Sequence, residues 1–192
     1  MSILSRTKRM VKSLLPSEQV FDVKHFKYFG EGSALPTACI IKNAKYISVG
    51  KNFYSLYNLR LEAWDSYAGQ QFSPEIIIGD NVNMNTDCHI GCINKIVIGD
   101  NVLMASRIYI SDHFHGEINA AALSLPPMRR PLYTKGPVVI EDNVWIGEGV
   151  CIMPGVTIGA NSIVGANAVV TKSVPANSVI GGNPARIIKT LL

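Results

Sequence analysis

The segment Asp112-His113-Phe114-His115-Gly116 sets two imidazoles two residues apart, and His89 and His25 supply two more. Histidine changes charge near neutral pH, which suits it to general-base chemistry or to metal ligation. As a base it would take the proton of a weak nucleophile such as an alcohol, an effect worth about 10²–10⁴-fold. No Gly-x-Ser-x-Gly segment is present, so no covalent enzyme intermediate is expected. Metal ligation is the weaker use. A three-histidine zinc enzyme needs converging ligands, and His89, His113 and His115 lack the wide-then-short spacing expected of them. Cys88-His89-x-x-Cys92 also has metal-like crowding. Cys88 and Ile90 fall on an apolar register, however, so packed free thiols are expected there, and no metal.

Composition bounds the rest. With 192 residues the chain is about one domain long. Only 17% of residues are charged, which fits a repeat protein that buries one side against copies of itself. The net charge of +4 lies wholly in residues 1–30, where Arg6, Lys8, Arg9, Lys12, Lys24 and Lys27 face only Glu18 and Asp22. The neutral remainder lacks the basic stripe that nucleic acid would need, so no nucleic acid is expected. The basic N-terminus reads as a solvated tail or short helix. Its alternative is weak peripheral contact with an anionic membrane through Met10, Val11, Leu14 and Leu15. The apolar run stops at Pro16 and makes a poor signal peptide, and no stretch is long enough to span a bilayer. Four cysteines in no dense pattern point to a reducing, cytoplasmic setting, with the inner membrane face as its furthest extension.

What must position the histidines is a repeat. Stepping by six from Ile78 gives Met84, Ile90, Ile96, Val102 and Ile108, and stepping from Ile140 gives Ile146, Ile152, Ile158, Val164 and Val170. A companion register two residues earlier runs Val138, Val144, Val150 and Val156. Six is an even number, so an extended backbone keeps the same side inward at each step. Three short strands with turns would close one coil of roughly 18 residues, stacked on the next by parallel pairing. Gly, Asn and Asp beside the apolar positions suit the corners. The repeat breaks near residues 65–74 and again over 113–136, and a loop as long as the second is usually functional or lies between subunits. Residues 1–35 read as an irregular or helical cap, 36–180 as the β-helix and 181–192 as a tail.

The segments Ile98-Gly-Asp-Asn-Val-Leu-Met-Ala-Ser106, Ser111-Asp-His-Phe-His-Gly116, Gly136-Pro-Val-Val-Ile-Glu-Asp-Asn-Val-Trp-Ile-Gly147 and Gly182-Asn-Pro-Ala-Arg186 together carry a resemblance over about residues 40–190. They resemble the hexapeptide-repeat acetyltransferases, in the branch of galactoside and maltose O-acetyltransferases and the acetyltransferases of bacterial surface polysaccharides. The resemblance implies an all-β fold, a left-handed parallel β-helix, whereas the general crossover rule would favour the right hand. It implies a homotrimer with active sites between subunits, and acetyl-CoA as co-substrate. His113 takes the place of the general base, with Asn85 and His115 toward the acceptor. Trp145, Gly147, Glu148, Ala166, Thr171, Lys172, Arg186 and Lys189 fall at the cofactor. A backbone N–H near Gly147–Glu148 would meet the oxyanion, and Glu148 departs from the small hydroxyl residue common there. Arg186 and Lys189 suit phosphates. Arg129 and Arg130 are assigned either to an anionic acceptor or to a neighbouring chain.

The expected function is therefore O-acetylation of a sugar hydroxyl in polysaccharide or glycolipid synthesis. N-acetylation of a nucleotide-linked amino sugar keeps the same mechanism, and a non-catalytic scaffold keeps only the fold.

Overall fold

A computed structural model describes residues 21–117 and 119–192. The segment expected to touch a membrane lies outside the described residues.

Three parallel sheets wrap one apolar interior. The first contains Tyr28–Phe29, Ile47–Val49, Glu75–Ile78, Lys95–Ile98, Val138–Ile140 and Thr157–Ile158. The second contains Tyr54–Ser55, Asn83–Met84, Leu103–Met104, Trp145–Ile146, Ile163–Val164 and Ser178–Gly181, with Arg186–Thr190 added antiparallel at its edge. The third contains Cys39–Lys42, Leu59–Ala63, His89–Cys92, Tyr109–Ser111, Cys151–Ile152 and Val169–Val170. The chain visits the sheets in turn, so each strand pairs with one a full coil away, as Met84 does with Met104 and Ile90 with Ile110. The six-residue registers supply the interior: Ile78, Met84, Ile90, Ile140, Ile146, Ile152 and Ile158 are all buried. Pairing starts at Tyr28, opposite Ser48, within the stretch expected to form the cap. No helix among the described residues is long and apolar enough to cross a membrane.

The corners show why asparagine recurs. Asn52, Asn81, Asn101, Asn143, Asn161 and Asn177 stack at the corner between the first and second sheets, each with φ between 56° and 60°. Asparagine tolerates this left-handed conformation because its short amide can bond locally. Here each amide donates to the next Oδ1 at 3.0–3.2 Å, making a ladder along the helix. Asn101→Ala loses both the ladder bond and the tolerance of positive φ. It is expected to destabilise by about 1–2 kcal/mol in chemical denaturation, and Asn101→Gly by less.

The coil is not uniform. Asn143 and Asn161 are separated by the expected 18 residues, but Asn81 and Asn101 by 20. The extra length falls at the corner between the third and first sheets, around Ile93 and Asn94. Both repeat breaks leave from this same corner, as antiparallel hairpins Ser66–Tyr67 with Gln70–Gln71 and Phe114–His115 with Leu132–Tyr133. Gln70 ties the two, accepting from Leu132 N at 2.7 Å and donating to Leu132 O at 3.3 Å.

Candidate active site

The strand Tyr109–Ser111 ends at that widened corner, and His113 follows two residues later. Ser111 Oγ accepts from His113 N at 3.2 Å and donates to His113 O at 2.9 Å, fixing the turn. Asp112 between them is fully buried. Its carboxylate accepts from Ile93 N at 2.9 Å, from Asn94 N at 2.8 Å and from the Cys92 thiol at 3.2 Å. Its Oδ1 also accepts from His113 Nδ1 at 2.9 Å. Burial alone would raise the Asp112 pKa, but these donors hold it below the usual carboxylate range. With Nδ1–H committed to Asp112, the His113 lone pair sits on Nε2. The two residues that lengthen the coil thus supply the backbone cradle for the group that orients His113.

His113 lines a cavity of about 250 Å3 with His89, His115, Glu62, Arg60 and Trp64. Its floor is Gly91: a Cβ there would lie 3.5 Å from His113 Cε1 and 3.8 Å from His89 Nε2. The two imidazoles therefore meet over bare backbone. His89 is oriented in the same manner as His113, with Nε2 2.9 Å from the buried Glu62 carboxylate. Arg60 Nη2 grips both Glu62 oxygens at 3.0 and 3.1 Å. Burial lowers the His89 pKa, with the bond to Glu62 opposing it. On the far wall Tyr67 donates to Met128 O at 2.7 Å and lies 3.3 Å from His115 Nδ1. Cys88 and Cys92 are buried free thiols. Burial pushes the Cys88 pKa up to about 11 and raises that of Cys92 as well, so neither is a ready nucleophile.

The structure brings His113 and His115 into one cavity and leaves the other expected site residues outside it. Asn85 is exposed at the corner where the chain enters the third sheet, at the opposite end of strand His89–Cys92 from Gly91's neighbour Cys92. Gly147, Glu148 and Ala166 occupy that same corner on later coils. A Cβ on Gly147 would stand 2.7 Å from Ala166 N, so the coils touch there only because residue 147 is glycine. Glu148 pairs with Arg107 at 2.8 Å. Trp145 is half exposed on the second sheet, Arg186 and Lys189 lie on its antiparallel edge strand, and Thr171 and Lys172 are exposed below the third. Asp112, Glu62, Arg60 and Tyr67 carry no motif of their own in the sequence, and His89, considered there only as a metal ligand, lines the cavity with them. Signals for them were present. The alternation Leu59-Arg60-Leu61-Glu62-Ala63 turns Arg60 and Glu62 outward together, and the two-residue slip between Ile90 and Ile98 marks the Asp112 cradle.

Residues 137–172 match a family profile described as bacterial transferase hexapeptide (six repeats). Over 155 residues the chain is 41% identical to a protein of Escherichia coli strain K12 named as a lipopolysaccharide biosynthesis O-acetyl transferase, WbbJ, covering 79% of this chain and 75% of that one. The chain is a hexapeptide-repeat acyltransferase. Among solved structures, this acyltransferase is similar to a maltose O-acetyltransferase from Clostridium difficile 630, at 28% identity and TM-score 0.61, over 100% of this chain and 90% of that one. An N-acyltransferase from Bacillus cereus, in complex with dTDP-4-amino-4,6-dideoxyglucose and coenzyme A, shares the fold at 22% identity and TM-score 0.73, over 96% and 89% of the two chains. The acyltransferase fold is thus the scaffold on which the Asp112–His113 pair is mounted.

Proposed function

We propose that this acyltransferase moves an acetyl group from acetyl-CoA onto a sugar hydroxyl, with His113 as general base. The observation that carries this reading is the His113 imidazole: Nδ1 is bound to buried Asp112 and Nε2 is left for a substrate in the cavity. In the step proposed, Nε2 takes the acceptor hydroxyl proton as the oxygen attacks the acetyl carbonyl. The C–S bond breaks, and the leaving CoA sulfur takes the proton back from the imidazolium. The names of the Escherichia coli and Clostridium difficile relatives, both O-acetyl transferring, support a hydroxyl acceptor. The coenzyme A bound by the Bacillus cereus neighbour supports a CoA thioester donor.

Trp145, Gly147, Glu148, Ala166, Thr171, Lys172, Arg186 and Lys189 are proposed to hold acetyl-CoA. Since most lie on another side of the coil from His113, the complete site is proposed to form between two copies of a left-handed β-helix in a homotrimer. Cytoplasmic action on a polysaccharide or glycolipid precursor belongs to the same reading.

The test is thiol release from acetyl-CoA across sugars, nucleotide sugars and glycolipids, with titration calorimetry of acetyl-CoA. A hydroxyl acceptor that drives release supports the proposal. Release only with amino sugars would replace it with N-acetylation, and no binding of acetyl-CoA would leave a scaffold.

A further inference from the structure

The cavity at His113 is not closed on the side facing the N-terminal coils. Arg60 and His89 also line a larger cavity of about 700 Å3, together with Ile40, Asn58 and Asp87. Register explains the continuity: Ile40, Arg60, His89 and Tyr109 are successive neighbours across the third sheet. Arg60 and His89 therefore form a sill between two compartments of one cleft. His113 leans the same way, its ring over Gly91 on the preceding coil rather than toward the later coils.

The sill has an unused polar group. Arg60 spends Nη2 on Glu62 and leaves Nη1 without a hydrogen bond among the described residues, on a side chain that is 44% exposed. A guanidinium N–H left open on a cleft wall can donate to a bound hydroxyl. Beyond it the lining mixes an exposed aliphatic surface, Ile40, with the amide–carboxylate pair Asn58–Asp87 at 2.9 Å. Apolar C–H faces ringed by hydroxyls are what a saccharide presents to such a wall. At about 250 Å3 the compartment beside His113 falls below the roughly 300–1,000 Å3 of ordinary small-ligand sites, and the adjoining one falls within that range.

We propose that the acceptor is a saccharide of at least two units, not a free monosaccharide. The unit bearing the reacting hydroxyl sits over Gly91 against His113. Its neighbour crosses Arg60 and His89 into the larger compartment and accepts a hydrogen bond from Arg60 Nη1. The inference rests on the acetyl-transfer reading for which unit reacts, and on the cleft alone for where the second unit binds.

Two measurements on the full chain separate those dependencies. In the first, methyl glycosides of hexoses are compared with the corresponding disaccharides as acceptors in thiol release. The disaccharide is expected to show at least tenfold higher kcat/KM, carried by KM. Ile40→Trp, which obstructs the larger compartment beside Arg60, should erase that ratio, and Arg60→Lys, which keeps a cation beside Glu62 but has no second terminal nitrogen, should reduce it severalfold. In the second, saturation-transfer NMR on the same pairs without acetyl-CoA should show the second ring in contact with protein, and Ile40→Trp should remove that signal. A ratio near one in the wild type, or a ratio that a folded Ile40→Trp leaves intact, overturns the proposal. If no acceptor releases thiol, the transfer reading fails, and the NMR arm alone decides the cleft: no contact from the second ring sinks it.

Discussion

His113→Ala is expected to lower acceptor-dependent thiol release by about 10²–10⁴-fold while acetyl-CoA still binds. The expectation follows from where the proton must go. An alcohol is a poor nucleophile until its proton is accepted, and His113 Nε2 is the lone pair that the Asp112 bond leaves open toward the cavity. The fold should survive the change, because Asp112 keeps Ile93 N, Asn94 N and the Cys92 thiol as donors. His115→Ala is the control. His115 is exposed and engages Tyr67 through its Nδ1, so its loss should cost less than tenfold and act on acceptor KM. Equal losses in the two variants would remove His113 from the role of base.

Asp112→Asn should come close to His113→Ala in activity and, unlike it, should also weaken the fold. The carboxylate accepts from four groups: the imidazole, two backbone N–H groups and a thiol. An asparagine offers one oxygen. If its amide N–H faces His113, the imidazole must present a lone pair at Nδ1 and carry its proton on Nε2, the wrong tautomer for a base. If it faces Ile93 and Asn94 instead, buried backbone donors lose their acceptor at about 1–3 kcal/mol. The two backbone donors favour the first arrangement, in which kcat is expected to fall about 10²–10⁴-fold with the acetyl-CoA KM unchanged, which marks Asp112 as a positioning residue. A pH dependence distinguishes its two effects. Because the Asp112 pKa is depressed in the folded protein, its stabilisation is present above about pH 4 and is lost as pH falls through its folded value. The stability gap between wild type and Asp112→Asn, read from denaturant melts, should therefore close in acid. A gap that stayed constant to pH 2 would show that Asp112 is not ionised in the fold.

The sequence by itself determined the architecture. An apolar residue every six positions, from Ile78 and again from Ile140, admits few structures in which each step stays inward, and parallel coils are the one that also buries the backbone polar groups. It also placed His113 where the repeat ends, because a broken period is visible along the chain. What the period could not convey is contact across coils. Glu62 lies one coil from His89, yet parallel pairing sets it beside Gly91 and within bonding distance of His89. The two added residues near Ile93 look like a minor slip in sequence, and in three dimensions they build the cradle of Asp112. Asn85 and Trp145 show the converse. Their residue types and motif positions suit a site, but a three-sided coil turns each side in a different direction, and in a single chain neither lines the His113 cavity. Sequence periodicity fixes which side chains point in, because that depends on the local backbone. Which outward side chains meet depends on how one coil registers on the next, and only the tertiary structure sets that.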